Sequence, residues 1–306
     1  MSTAILSPDF FSTILRSTTP ILFATLASSI ASKSGITNMA LEGIMLFSAL
    51  FGVIFSSLTS SAWMGLIITM VIGGLIGLIL AFFVLNLKTD EILAAIAINL
   101  TATGGTVLIM VAFSGDRGVS SSIKSISAPE VVIPLVKDIP FLGEVLSGQN
   151  ILTWIAIIAV ILLHLFLYKT PLGLAIRAVG ENKDAAESVG ISSRKIQYIA
   201  LVLSGVLASM GGFFLSGGYM NMFTKDMSGG RGFIALAAAS MGGNTPVGSL
   251  LVSLLFGIAQ AFANIMQLTS MIPYEIVLMV PYLATLVGLA IFYYGQKKKK
   301  ERLSGK

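Results

Sequence analysis

Long apolar runs broken by short polar stretches organise this chain of 306 residues. Residues 43–87, 92–113, 151–168, 197–224, 232–274 and 276–296 carry no Lys, Arg, Asp or Glu. Roughly 20 apolar residues cross the ~30 Å hydrocarbon layer as a helix, so several runs are single spans and two are long enough for a pair. The ten-residue alternation of a membrane β-barrel is absent, and in lipid only helices or closed barrels satisfy their backbone polar groups. The pattern predicts an all-α polytopic integral membrane protein, a bundle of about 8–10 transmembrane helices. Expected spans lie at 18–32, 37–57, 62–87, 92–113, 151–168, 197–220, 231–241, 246–266 and 272–294. The seventh is too short to cross comfortably, and "MGGNTPVG" (241–248) separates it from its successor with Gly, Asn and Pro. A short or discontinuous helix inside the bundle is expected there, because irregular backbone at membrane depth survives only where protein or water covers it.

Composition agrees with the pattern: 55% of the residues are hydrophobic and 11% charged, where soluble domains carry about a quarter charged. Many of the 31 glycines fall inside spans, as in "VIGGLIGLIL" (71–80), where small residues let helices approach closely. The net charge of +5 comes entirely from residues 297–306, with six basic residues and one acid. That is the mark of a cytoplasmic tail touching anionic membrane lipid, not of a nucleic-acid partner. The absence of cysteine excludes disulfides, thiol nucleophiles and cysteine metal sites. The first apolar run has no convincing cleavage site, so no cleaved signal peptide is expected. Residues 114–150 hold more acids than bases and read as an extracellular loop, whereas 169–196 hold five bases against three acids and read as cytoplasmic. An even number of crossings must then separate 169–196 from the tail, and the last four expected spans supply it. "GIMLFSALFG" (43–52) and "GSLLVSLLFG" (248–257) share six residues in register, a hint of internal duplication.

The stretch "RAVGENKDAAESVGISSRK" (177–195) is the densest mix of charges in the body of the chain. Thr170-Pro171 opens a helix, with Thr as cap and Pro where its missing N–H costs nothing. Asn182 caps a second short helix, and Gly190 can close it in the left-handed conformation. Ala185, Ala186 and Val189 form a small apolar knob edged by Lys183, Asp184 and Glu187. Such a helix is marginal in water alone, so it either rests on the bundle as a plain connection or presents its knob to a partner.

The residues from "PLGLAIRAVGENKDAAESVGISSRKIQYIALVLSGVLASMGG" (171–212), with "GITNMALEGIMLFSA" (35–49) and "RGFIALAAASMGGNTPVGSLLVSLLFG" (231–257), closely resemble permease subunits of ABC importers. The resemblance covers nearly the whole chain and is to the simple-sugar and nucleoside family, the ribose/galactoside-type, branched-chain-amino-acid-like permeases. Asn-x-x-Leu-Glu-Gly, at 38–43, is closest to the nucleoside group. The family implies a single permease domain over 1–306 in a bacterial cytoplasmic membrane. It implies a docking helix at 181–190 seated in a cytoplasmic ABC ATPase, with Glu181, Asn182, Ala185, Ala186 and Gly190 as its coupling residues. It further implies a second permease subunit, usually a different but homologous chain in the nucleoside group, and an extracellular substrate-binding protein, a lipoprotein in this group. The solute is a nucleoside or simple sugar. One departure is "MGGNTPVG", with Gly and Asn where bulkier or basic residues are expected.

An ionisable group within a span is by default a functional hypothesis. Glu42 lies one turn from Asn38, and the pair could line a polar path or brace a broken helix, with Lys33 as counter-ion. Asn99, Asn221 and Asn264 are further candidates for the path, and Phe113, Phe213, Phe214 and Phe223 for stacking a base. Interhelical hydrogen bonding and packing account for each equally well. Catalysis has little support: His164 is the single histidine, and no metal cluster or phosphate-binding G-x-x-x-x-G-K-[ST] is present. The chain is therefore expected to have no cofactor of its own, with ATP and Mg bound by partner ATPase subunits. The alternative function is a self-sufficient secondary transporter or channel for a small neutral polar solute, with Glu42 as its coupling site.

Overall fold

The computed structural model describes residues 7–123, 125–134 and 141–269, with single positions 283, 288, 290 and 294. Its elements run in the order α1 (Pro8–Ser32), α2 (Leu41–Thr59), α3 (Ala62–Leu85), α4 (Glu91–Ser114), strand β1 (Glu130–Val131), α5 (Leu142–Leu146) and strand β2 (Gln149–Asn150). Then come α6 (Ile151–Lys169), α7 (Pro171–Glu181), α8 (Lys183–Ser188), α9 (Ser193–Phe213), which continues as a π turn over Phe214–Tyr219, α10 (Arg231–Met241) and α11 (Pro246–Thr269). The two short strands pair antiparallel, Glu130 opposite Asn150.

Among the described residues seven helices are long and apolar enough to cross a membrane, namely α1, α2, α3, α4, α6, α9 with its π turn, and α11, so this is a multi-pass membrane protein. The short α10 occupies the expected 231–241, while the last expected span, 272–294, and the basic tail lie outside the described residues apart from the four single positions. Three helices begin elsewhere than expected, α9 at Ser193 and not at 197 among them. α1 starts at Pro8, not at 18, with Ser7 accepting the Phe10 N–H and proline in the first turn. Asp9, Ser12, Thr13 and Arg16 disguise that first stretch, but Ser12 is buried and accepts from Gln149 Nε2 at 2.9 Å. α2 starts at Leu41, not at 37, because Gly35 turns the chain at φ +84° and the Asn38 side-chain Oδ1 takes the Ala40 N–H at 3.0 Å.

The bundle is arranged around α1, which has 89% of its span buried against 22% for α4, so α1 is the axis and α4 the rim. α9, α10 and α11 all pack on α1. α3 meets α9 through the small residues singled out in 71–80: a methyl group on Gly73 or Gly77 would overlap the Gly205 or Leu201 carbonyl. Along α1 and α11 a row of hydroxyls pairs, Ser29 with Ser249 at 2.7 Å and Ser253 to Thr25 at 3.1 Å, and Gly257 then lies against Thr18. With no apolar driving force between helices in lipid, close backbone approach and such hydrogen bonds are what hold spans together.

Candidate functional site

The polar segment after α6 is two helices meeting at one capping residue. Thr170 Oγ1 accepts the Gly173 N–H at 3.1 Å, and α7 follows with Pro171 in its first turn. Asn182 ends α7 and starts α8, its Oδ1 accepting the Ala185 N–H at 3.0 Å. Gly190 turns the chain at φ +86°, and Ser193 Oγ donates to Glu187, tying α8 to the start of α9. The helix is six residues long within the expected 181–190. Glu181, Asn182, Ala185 and Gly190 are exposed, and Val189 is 75% exposed. Ala186 is not part of an outward knob. It is 4% exposed and faces the protein, about 100° round the helix from the exposed Ala185. The outward apolar surface is Ala185 and Val189.

α7 seats this segment on the bundle by backbone contact. Gly173 lies against the Phe166 carbonyl, and Gly180 against the Lys33 carbonyl and Gly35 N. Gln197 Nε2 donates to Ser34 O at 3.1 Å, and the Arg177 guanidinium lies 4.5 Å over the Tyr168 ring, which also packs on His164.

Three of the five path candidates gather just beyond, inside the bundle, where 33–40 leaves helical conformation. Asn38 is fully buried and donates from Nδ2 to Ser204 Oγ at 2.9 Å, and that hydroxyl donates onward to Ala27 O. Asn99 of α4 accepts the Gly43 N–H at 2.8 Å and donates to Met39 O at 3.0 Å. Glu42 spends both carboxylate oxygens on α10: Gly230 N–H donates to Oε1 at 2.8 Å and Gly232 N–H to Oε2 at 2.7 Å. Its partners are backbone groups and not Lys33. The carboxylate supplies acceptors that the first turn of α10 lacks, since Gly230 caps it without a side chain, and it complements the positive end of the helix dipole. Ser204, Gly180, Gly230 and Gly232 belong to this arrangement and were not singled out from sequence. The pattern Gly230-Arg231-Gly232 ahead of an apolar run is the one visible signal, marking a helix start with no cap of its own.

The other two candidates lie elsewhere. Asn221 is exposed at φ +54° and lines a polar cavity of about 100 Å³ with Arg16, Glu130, Asn150 and Tyr219. Asn264 is half-buried on α11, accepting from Gln260 Nε2 at 3.4 Å. Of the aromatic candidates, Phe213, Phe214 and Phe223 are fully buried as packing, and Phe113 is exposed. Gly243 at φ +64° and Asn244 at φ +52° form the turn after α10, and Gly242 and Gly248 touch backbone to backbone. Bulkier residues would not fit at 242 or 248, which accounts for the unusual composition of that turn.

The fold is similar to that of a solved structure, PsaBC from Streptococcus pneumoniae in complex with Fab, with a TM-score of 0.54 over 90% of this chain and 89% of that chain at 13% identity. In sequence the chain is 33% identical over 285 residues to the guanosine ABC transporter permease protein NupQ of Bacillus subtilis (strain 168), covering 89% of this chain and 88% of NupQ. It is 32% identical over 286 residues to the nucleoside ABC transporter permease protein NupC of Lactococcus lactis subsp. cremoris (strain MG1363), covering 90% and 89%. Residues 10–293 match the family model described as branched-chain amino acid transport system / permease component, and the chain belongs to that family.

Proposed function

We propose that this chain is the translocating permease subunit of an ATP-driven importer that takes up a nucleoside delivered by an external binding protein. The observation that carries the reading is the exposed, doubly capped segment α7–α8, seated by Gly173 on the backbone of α6 and by Gly180 on that of the α1–α2 turn. A six-residue helix with Ala185 outward, followed by the 75% exposed Val189, is a knob that a partner can grip. In this reading 169–196 and the tail 297–306 are cytoplasmic, and 114–150 is extracellular. A separate ABC ATPase binds ATP and Mg and grips α8, and a second, homologous permease completes the channel. The names of NupQ and NupC, a guanosine and a nucleoside permease, support the solute class. The binding protein would release solute to an outward-facing pair, and ATP binding and hydrolysis in the ATPases would drive the change of access through differential contacts at the docking helices.

The test is uptake of labelled guanosine and labelled ribose into proteoliposomes containing the chain, its cognate permease and ATPase, and the loaded binding protein. Guanosine uptake that requires ATP and stops with a hydrolysis-deficient ATPase is expected. Ribose uptake in place of guanosine would replace the solute class. Uptake persisting without any ATPase and following an ion gradient would favour the secondary carrier.

A further inference from the structure

Segment 33–43 touches α7 at one end and α10 at the other. At the first end a methyl group on Gly180 would overlap the Lys33 carbonyl, and Gly35 holds a left-handed turn beside it. At the second, a methyl on Gly232 would overlap the backbone of Glu42, whose carboxylate already holds the Gly230 and Gly232 N–H groups. Between them Asn38 and Asn99 tie the segment to α9 and α4, so its path through the bundle has little slack. Backbone packed on backbone has no rotamer to absorb a displacement, and dense interiors transmit strain. At the start of α10 the Arg231 N–H is taken by Ser228 O on its own flank, while the Gly230 and Gly232 N–H groups are held from α2.

We infer that Glu42 is a latch: segment 33–43 carries a displacement of α7–α8 to the half-helix α10, which follows only while the Glu42 carboxylate holds its first turn. This rests on α8 being the seat of an ATPase. Glu42 is a positioning residue here, acting on α10 and not on solute. A glutamine in its place keeps one carbonyl acceptor but turns an NH₂ toward a second N–H, so one acceptor is lost, a backbone N–H is left unpaired and the latch opens. The same disconnection at the other end should follow from Gly180→Ala, which touches neither Glu42 nor α10.

The chain has no cysteine, so single labels can be placed cleanly. Spin labels at Ala178→Cys on α7 and Ser240→Cys on α10, both exposed, report the separation of the two elements, with Leu108→Cys on the outer face of α4 as a reference. Distances are measured in the complete complex in nanodiscs, nucleotide-free and trapped with ATP and vanadate. In the otherwise native chain the 178–240 distance should stay constant between the two states while both labels move relative to 108. With Glu42→Gln, and separately with Gly180→Ala, the 178–240 distance should change on trapping. The ratio of solute imported to ATP hydrolysed should then fall in both variants, with Glu42→Gln by about tenfold or more, the lower end for one charge-assisted hydrogen bond. An unchanged distance and ratio in both variants, or a 178–240 distance that already changes in the native chain, would overturn the latch. No nucleotide response at any label in the native complex would overturn the ATPase reading along with it.

Discussion

Asn99 illustrates how one side chain in an apolar span serves the backbone of another. Its amide closes a two-way bond with the start of α2, accepting from Gly43 N–H and donating to Met39 O. Asn99→Leu would leave both backbone groups unpaired inside the bundle, at about 1–3 kcal/mol each. We expect a clearly lowered midpoint of thermal unfolding in detergent, whereas Asn264→Leu, which loses a single long side-chain bond, should shift it little. Asn38, Glu42 and Asn99 were legible in the sequence as costly polar groups in apolar surroundings. Their partners were not, because Gly230 and Gly232 lie 188 and 190 residues from Glu42, and Ser204 lies 166 from Asn38.

At the level of elements, α10 and α8 are both too short to be stable alone. Eleven residues make α10 about 16 Å long, half of a ~30 Å hydrocarbon layer, so its ends must be satisfied by the protein. The composition of 231–248 announced the break, and only the packed structure placed a carboxylate from α2 at its start. For α7 and α8 the capping residues Thr170, Asn182 and Gly190 were readable because capping is local chemistry. Which alanine faces outward was not, since that depends on what α8 rests against. Ala185→Arg should leave the unfolding midpoint unchanged and abolish co-purification of the ATPase. Ala186→Arg should instead destabilise the α7–α8 segment by about 2 kcal/mol or more through burial of an unpaired charge, seen as faster hydrogen exchange over 171–190.

At the scale of the whole molecule, helix approach through glycine sets the shape. Gly205 of α9 meets the Gly73 carbonyl of α3, while Gly104 on the outer face of α4 has open space around it. Gly205→Val should force α3 and α9 apart, with an overpacking cost of about 1–3 kcal/mol or more, and reduce the yield of monodisperse protein. Gly104→Val should be tolerated, and thermal unfolding of the two variants side by side decides the point. The two decapeptides that suggested duplication occupy equivalent places, each beginning at the third residue of its helix, Gly43 in α2 and Gly248 in α11.

Charge-free runs of bilayer length were enough to determine an all-helical membrane bundle, its approximate spans and its interrupted seventh segment, because the cost of exposing backbone or charge to hydrocarbon acts residue by residue along the chain. Local capping likewise announced α7 and α8. The tertiary structure alone decided that α1 is the axis, that Ala186 turns inward, and that Glu42 braces α10. Each of those depends on which distant backbone groups come within hydrogen-bonding distance, and the pattern along one helix carries no record of the helix it will meet.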